Sequence, residues 1–268
     1  MIVTVTGIGL WAAGLTGWSE FQQQLTVDGP PADAEFNAPR PAAIAPRERR
    51  RAGLTINLAV EVMHQACDMA GVDKAAIATV FASAMGDTDI TDYMCRKLAG
   101  ADRMLSPTKF HNSVHNATSG YWSISAQNRA PSSFVGGFRD SFACALLEAA
   151  ACAIAEDLPV GLAGYDIANA APLHDVAPIS ETLGLALVIL PGEQSPGWPL
   201  TLALQAGRPA APPMPRRAGL ARLADANPMG SALTLLEALA DDRTDPLCWP
   251  VGQNTGLNVT AGQRSRAA

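Results

Sequence analysis

The sequence predicts a layered α/β fold in which helices cover both faces of a sheet that contains parallel strands. Short runs rich in β-branched residues alternate along the chain with amphipathic helical segments. This order is typical of parallel strands, because both of their faces have to be covered by helices. The length of 268 residues and a hydrophobic content of 48% allow one sizeable core, so we expect one domain.

The first half of the chain contains three of the predicted helices and two of the predicted strands. In chain order we predict a strand over 1–6, a glycine-rich turn, a helix over 18–25, an irregular segment over 28–47, a helix over 52–70, a strand over 77–83 and a helix over 90–98. The longest helix has apolar residues at helical spacing and is followed by Gly71, a typical helix stop.

The second half is predicted to continue the sheet and then to cross a proline-rich linker. We predict strands over 132–135, 160–163, 185–190, 200–205 and 256–260, helices over 141–155 and 230–240, a linker over 191–217 and disorder in the last eight residues. The linker contains seven of the twenty prolines. Asp140 or Ser141 is expected to cap the helix over 141–155 by accepting a hydrogen bond from a free amide.

Composition excludes several classes of function. A net charge of -6 with only 16% charged residues provides no basic surface for a phosphate backbone, so we expect no nucleic-acid partner. Five cysteines without CxxC spacing predict neither a disulfide framework nor a thiolate zinc site, and they fit a reducing compartment. The chain has no basic segment before its first apolar run and no apolar stretch of about 18 residues. We therefore expect a cytoplasmic protein without a membrane span.

The glycine-rich opening is compatible with dinucleotide binding but supports it weakly. Gly7, Gly9 and Ala12 follow a strand with the spacing of a pyrophosphate-binding turn. About 20 residues further on, a second strand should end in an acidic residue that binds the ribose. The sequence there is the irregular segment around Asp28, so we expect no nucleotide cofactor, nor any other.

Two histidines have the spacing of a helical metal site. His111 and His115 are four residues apart, which would place two imidazoles on one helix face. Their segment KFHNSVHNATSG lacks the glutamate of a zinc hydrolase, and its Asn, Ser and Gly residues favour turns. We interpret them as loop histidines or interface hydrogen-bond donors and expect no metal.

Several segments, in order, resemble the β-ketoacyl synthases. The resemblance rests on MIVTVTGIGLWAAG, on the helix that ends in MAGVD, on LSPTKFHNSVHNATSGYWSI, on Ala163-Gly164 and on LGLALVIL. It covers roughly residues 1–192 and implies a thiolase-like α-β-α architecture. Residues 193–268 would then form a linker and a contracted C-terminal half, packed into the same domain.

The resemblance also shows where the catalytic nucleophile should lie. In the family a cysteine occupies a sharp turn between a buried strand and a buried helix, where helix-end amides favour its thiolate. Alignment on Ser141 puts Arg139 at that position, or Phe138 or Asp140 with a shift of one residue. None of these side chains can form an acyl thioester. Cys144 comes about one helical turn later and is expected to lie in helix packing.

The family's two C-terminal histidines are also missing, because no histidine follows His174. Asn227, in Asn-Pro-Met-Gly before a helix, matches one histidine position. The resemblance therefore implies a non-catalytic subunit, most similar to the chain-length factors of aryl polyene and other type II polyketide or fatty-acid-like systems. Such a subunit forms a heterodimer with a catalytic ketosynthase and determines product length through the shape of the cavity.

On this interpretation three sets of residues acquire roles. The predicted cavity residues are Phe134, Phe138 and Phe142, although Phe142 could belong to the core. The predicted interface residues lie on and before the strand over 132–135, and they are His111, His115, Asn116, Ser132 and Ser133. A basic run, Arg47, Arg49, Arg50 and Arg51, is either a solvated face or a docking site for an acyl carrier protein.

Two other functions remain open from the sequence. The chain could be an active acyltransferase or condensing enzyme that uses Cys144 or Ser141 as a relocated nucleophile, which would need a nearby base. It could instead be a structural scaffold that binds the carrier protein without affecting chain length.

Overall fold

A computed structural model describes residues 1–194 and 196–265. The strands are β1 (Ile2–Ala12), β2 (Ala78–Ala82), β3 (Ser132–Val135), β4 (Val160–Asp166), β5 (Leu183–Pro191), β6 (Trp198–Ala206), β7 (Leu247–Val251) and β8 (Thr255–Ala261). The helices are α1 (Trp18–Gln24), α2 (Pro46–Ala70), α3 (Thr88–Ala99), α4 (Pro107–Asn112), α5 (Ala117–Ser125), α6 (Ser141–Glu156), α7 (Leu173–Val176), α8 (Ala218–Ala226) and α9 (Ala232–Ala240).

These strands form one mixed sheet in the order β3-β2-β4-β5-β1-β6-β8-β7. β2 pairs in parallel with β3 and β4, while β5, β1, β6, β8 and β7 add to the sheet by antiparallel pairing. The carboxyl ends of the parallel strands β2, β3 and β4 lie at the same end of the sheet, where the loops that follow these strands meet. The strands after residue 192 therefore continue the sheet that the first half begins.

Helices cover both faces of this sheet, so the α/β fold with α-β-α layers is confirmed. α2 packs on one face, with α5 beside it, around a core that includes Met63, Phe81 and Trp122. α6 and α9 cover the other face, around a core that includes Leu146, Leu187 and Leu235. No helix within the described residues combines the length and the apolar character that crossing a bilayer requires.

The glycines of the opening segment lie inside β1, so the predicted turn after residue 6 is wrong. A side chain at Gly7 would collide with the carbonyl oxygen of Ala66, and one at Gly9 with that of Val62. The absent side chains let α2 approach the strand closely. The glycine pattern of the opening segment is therefore explained by close packing of α2 on β1.

The basic run belongs to α2 rather than preceding it. The helix begins at Pro46 and is kinked at Gly53, whose φ of 77° lies in the left-handed region that favours glycine. Arg47 to Arg51 therefore form a helical segment of their own before the kink. The predicted stop at Gly71 is confirmed, because this residue has a φ of 66° and its amide bonds to the last carbonyls of the helix.

The C-terminal part contains more regular structure than the sequence predicts. α8 and β7 have no counterpart among the predicted elements, and the helix expected from residue 230 begins with a 3-10 turn, Pro228–Ser231. The expected disorder of the last eight residues is wrong for two of them: Ala261 ends β8, and Ser265 forms a bridge with Gly197. Residues 266–268 lie outside the described residues.

Candidate functional site

The turn between β3 and α6, which we call the elbow, is built from Gly136, Gly137 and a 3-10 turn, Phe138–Asp140. Phe138 has a φ of 52°, a left-handed conformation that is unfavourable for a bulky residue. Holding such a conformation costs roughly 1–3 kcal/mol. The strained residue of the elbow is therefore Phe138, one position before Arg139.

The three residues of the 3-10 turn have different surroundings. The phenyl ring of Phe138 is 46% exposed, and Arg139 is exposed with no carboxylate within 4.0 Å among the described residues. The carboxylate of Asp140 accepts two hydrogen bonds from the Arg208 guanidinium, at 2.6 and 3.0 Å. Arg208 also donates to the carbonyl of Gly252 in the β7–β8 turn. The elbow is thus connected to the C-terminal hairpin by one arginine.

Ser141 closes the elbow instead of capping α6. Its buried hydroxyl accepts a hydrogen bond from the Gly137 amide at 2.9 Å and donates one to the Phe138 carbonyl at 2.7 Å. The side chain of Asp140 does not cap the helix either, because it is paired with Arg208. The predicted cap is therefore wrong, and the Ser141 hydroxyl holds the strained turn together.

Cys144 lies under the elbow and not at its tip. Its sulfur packs against the elbow glycine, since a Cβ on Gly137 would lie 3.5 Å from Sγ, an ordinary van der Waals contact. Burial, followed by the Asp140 carboxylate, raises the pKa of this half-buried thiol, and Arg208 opposes the shift. The protonated thiol is thereby favoured over the nucleophilic thiolate.

Asn227 is a buried structural clamp. Its amide nitrogen donates to the carbonyls of Asp166 at 3.0 Å and Glu181 at 2.8 Å, and its oxygen accepts from the Met229 amide at 2.8 Å. These bonds connect the end of β4 to the Pro228–Ser231 turn. Asn227 and Arg139 both line a cavity of about 330 Å³, and none of the four histidines lies on its wall. The structure thus brings together the two positions that the sequence comparison identified separately.

The three phenylalanines differ in their positions. Phe134 on β3 is half-buried and stacks on the His115 ring, with 4.5 Å between centroids. Phe142 is 1% exposed and contacts Trp249 edge to face within the core. Only Phe138 presents a largely exposed ring at the elbow. Of the predicted cavity residues, Phe142 is the one whose place is explained by core packing alone.

β3 is an edge strand, and exposed hydrophobic residues are frequent in the segment of the chain around it. β3 pairs only with β2 among the described strands, and Ser132 on it is exposed. Among the described residues, six of the thirteen large exposed hydrophobic ones lie between positions 98 and 138 of the sequence, and these are Leu98, Met104, Phe110, Val114, Ile124 and Phe138. A groove of about 600 Å³ between α5 and the start of α2 is lined by two of the five predicted interface residues. This concentration is typical of a protein-binding surface.

The predicted interface residues lie on or near this surface. His111 and Asn116 line the groove, while His115 stacks on Phe134 at its border. The Ser132 hydroxyl bonds to that of Thr79 at 3.0 Å, and the Ser133 hydroxyl is buried with no hydrogen-bond partner in the described part of the chain. α4 ends at Asn112 and α5 begins at Ala117, so no continuous helix joins the two histidines, as predicted. The described residues contain no cluster of three potential metal ligands.

The sequence analysis missed Asp166, a buried carboxylate at the end of β4. It accepts hydrogen bonds from the Ser83 hydroxyl at 2.7 Å and from the amides of Ala84 and Met85. Burial raises the pKa of this carboxyl to about 6, although the hydrogen bonds lower it. Asp166 orders the loop after β2, which lies against Gly136 of the elbow. An aspartate directly after the apolar run of 160–165 was the available signal.

The basic run is largely solvated. Arg51 pairs with Glu48 at 3.3 Å, and Arg49 donates to the carbonyl of Arg40 at 2.9 Å. Arg47 and Arg50 are exposed and have no carboxylate within 4.0 Å among the described residues. These two guanidinium groups remain available to an anionic partner.

The class of protein follows from the fold and from a family comparison. The family model described as "Beta-ketoacyl synthase, N-terminal domain" matches residues 18–245. Because this match covers most of the chain, the chain belongs to that family. The sheet, its covering helices and the strand-to-helix elbow are the elements expected for it. No curated protein sequence matches the chain.

Three solved structures illustrate the likeness. A chain of the ketosynthase ApeO in complex with its chain length factor ApeC, from Xenorhabdus doucetiae, is 20% identical, with a TM-score of 0.71 and coverage of 97% of this chain and 99% of that one. The ishigamide ketosynthase/chain length factor is 15% identical, with a TM-score of 0.70 and full coverage of both chains. AntDE:AntF, a type II polyketide ketosynthase with its acyl-carrier protein, is 10% identical, with a TM-score of 0.71, and the coverages are 97% and 99%. At these identities the likeness shows the shared fold.

Proposed function

We propose that this chain is a non-catalytic subunit that pairs with a catalytic ketosynthase and limits the length of the acyl chain. The observation that carries the proposal is the composition of the elbow. Phe138, Arg139 and Asp140 occupy the tip of the turn, and none of them can form a thioester. A catalytic partner must then supply the nucleophile.

The surroundings of the elbow argue against a relocated nucleophile. Cys144 is held as a thiol beneath the turn, and both hydrogen-bonding directions of Ser141 are used within it. The cavity beside the elbow contains no imidazole that could serve as a base. An active acyltransferase that uses either residue is therefore the less favoured function.

The surface next to β3 supports pairing with a partner subunit. Since the carbonyls of Pro131 and Val135 bond to β2, strand alternation directs the backbone groups of Ser132 and Phe134 outward. A strand of the partner can add to this edge, and the exposed apolar residues around it would be buried at the same time. Two of the similar structures are described as ketosynthases with chain length factors, which is consistent with this arrangement.

The finer parts of the proposal concern the pathway and the second partner. The sequence resemblance favours aryl polyene biosynthesis in the cytoplasm, with the partner synthase forming a heterodimer. The exposed guanidinium groups of Arg47 and Arg50 would bind the acidic surface or the phosphate of an acyl carrier protein. Charge reversal at both positions, Arg47→Glu with Arg50→Glu, should weaken carrier binding without affecting the synthase pair.

The test of chain-length control is the variant Phe138→Gly in a complex with the catalytic synthase encoded beside it. Glycine tolerates the left-handed backbone at this position, so the ring is removed without added strain. We expect longer or more dispersed products, measured by mass spectrometry of the acyl chains. Leu204→Ala is the control, because that side chain is similarly exposed but lies on β6, away from β3 in the sheet.

Three results would contradict parts of the proposal. A product distribution that Phe138→Gly leaves unchanged would remove this ring from chain-length control. A covalent acyl adduct on Cys144 or Ser141, after incubation with an acyl thioester, would show a relocated nucleophile. Binding of the carrier protein without any complex with the synthase in size-exclusion chromatography would favour a scaffold.

A further inference from the structure

Hydrogen bonds within the elbow hold the backbone of Phe138 but leave one charged side chain unassigned. The Ser141 hydroxyl bonds to the Gly137 amide and to the Phe138 carbonyl. The Asp140 amide donates to the Gly137 carbonyl at 3.0 Å. None of these bonds involves the Asp140 carboxylate. Its direction is therefore set by groups outside them.

The Asp140 carboxylate has two competing partners. Asp140 occupies the N-cap position of α6, where an aspartate commonly accepts a hydrogen bond from an amide of the first turn and is attracted by the helix dipole. Its φ of -91° and ψ of -2° are not the extended values typical of a capping residue, and its side chain accepts no such bond. Both carboxylate oxygens accept from the Arg208 guanidinium instead. Arg208 therefore draws the carboxylate away from the helix.

Arg208 is itself held in place by the turn between β7 and β8. Its guanidinium donates to the carbonyl of Gly252, and the amide of the preceding residue, Gly207, donates to the Asn254 carbonyl at 2.9 Å. The Arg208 side chain is 39% exposed, whereas that of Asp140 is only 13% exposed, so solvent competes for the pair mainly from the guanidinium side. A bidentate pair on a fixed base determines both the distance and the direction of the carboxylate.

We propose that Arg208 is the positioning residue of the elbow. By holding the Asp140 carboxylate away from α6, it keeps Phe138 in the left-handed conformation that exposes its ring. Without Arg208, the carboxylate caps α6, the backbone of Asp140 becomes extended, and the adjoining turn relaxes, so the ring no longer has one fixed position. Where it concerns product length, this inference rests on the proposed function, because the Phe138 ring is the group proposed to limit the acyl chain.

The first test measures hydrogen exchange of the elbow amides by NMR in the full chain, which needs no partner. Arg208→Gln should accelerate exchange of the Gly137 and Asp140 amides about tenfold, the effect of one charge-assisted hydrogen bond lost at a partly exposed site. Arg208→Lys should accelerate it less, because lysine keeps a donor for the carboxylate. Arg216→Gln is the matched control, since Arg216 pairs with Asp245 and lies outside the elbow. Equal exchange rates in Arg208→Gln and Arg216→Gln would overturn the proposal.

A double variant separates the proposed competition from a general loosening of the turn. Asp140→Ala should accelerate exchange less than Arg208→Gln does, because no carboxylate is left to cap α6. In the double variant, Arg208→Gln with Asp140→Ala, exchange should fall back to the rate of Asp140→Ala, since the two side chains are coupled. A double variant that exchanges as fast as Arg208→Gln, or faster, would contradict the competition on which the positioning role depends.

The second test measures product length in the complex with the catalytic synthase. Arg208→Gln should disperse the products in the same direction as Phe138→Gly, and Arg208→Lys should restore most of the original distribution. Unchanged products with Arg208→Gln, where Phe138→Gly changes them, would overturn the positioning role and leave the proposed function intact. If Phe138→Gly itself changes nothing, the failure belongs to the proposed function, and the exchange rates still decide whether Arg208 sets the elbow.

Discussion

The two edge strands of the sheet differ in whether a further strand could pair with them. β3 has four residues, none of them fully buried, and it lies among exposed apolar side chains. β7 at the opposite edge has three buried residues of five and contains Pro250, which has no amide hydrogen to donate. Trp249 fixes β7 to the core, where it contacts Phe142. The comparison indicates that the sheet is closed to extension at β7 and open to it at β3.

The largest effect on partner binding is expected from closing the open edge. Ser132→Pro removes an outward amide without removing a bond to β2, so addition of a partner strand is blocked. We expect binding of the synthase to weaken about 10- to 100-fold, because one backbone hydrogen bond is lost and its acceptor on the partner strand is left unpaired. The measurement is size-exclusion chromatography with quantitative titration of the pair.

Ser132→Ala is the control for that variant. It also removes the hydroxyl that bonds to Thr79, but it keeps the amide. Equal losses for the two variants would mean that the side chain, and not the outward amide, is important for pairing.

The largest effect on the free energy of unfolding is expected at Trp249, which anchors β7 to the core. Trp249 is 1% exposed, and Trp249→Ala leaves a cavity next to Phe142. We expect a loss of about 3–5 kcal/mol in the free energy of unfolding, measured by urea denaturation. Hydrogen exchange should accelerate first in β7 and β8. Trp249→Phe retains a ring and should lose much less; uniform acceleration across the sheet would contradict the anchoring role.

A smaller effect, dependent on pH, is expected beside β3. Burial raises the pKa of Asp166 to about 6, above the ordinary 3.8, so the folded state binds this proton more tightly than the unfolded state. Its contribution to stability is then fully present below about pH 4 and is lost as pH rises to about 6. The linkage relation gives a change of about 3 kcal/mol.

The Asp166→Asn variant has no titratable group at this position. Its free energy of unfolding should therefore not show this dependence on pH. The measurement is urea denaturation of both proteins from pH 4 to 7. Parallel pH profiles for the variant and the original chain would show that Asp166 titrates outside this range.

The smallest effect is expected from opening the closed edge. Pro250→Val supplies an outward amide on β7 and should change the free energy of unfolding by less than about 1 kcal/mol. We expect weak self-association at high concentration, detected by light scattering and absent from the original chain. A variant that stays monomeric would show that Pro250 is not what keeps this edge unpaired.

The sequence was most informative where local chemistry determines structure. Gly71 ends α2 because that position needs a left-handed backbone conformation, and the central strands have continuous apolar runs. Gly7 and Gly9 misled the prediction, because their role is to allow a helix 50 to 60 residues away to approach. The spacing of glycines within β1 does not reveal which distant helix packs against that strand.

The candidate site was predictable in part for the same reason. The resemblance placed the elbow within one residue, and the structure adds that Phe138 has the strained backbone. That Arg139 and Asn227 share a cavity depends on how the Pro228–Ser231 turn packs against the elbow. Asp166 and Arg208 were missed because their partners lie far away in sequence, on loops whose position only the folded chain determines.

The Arg208 contact gives the short C-terminal region a mechanical role. One guanidinium spans the distance from the hairpin beyond β7 to the carboxylate of Asp140. A displacement of the hairpin is therefore transmitted to the elbow. A partner that binds the elbow would in turn restrict the motion of the hairpin. The C-terminal hairpin in this way supports the conformation of the elbow.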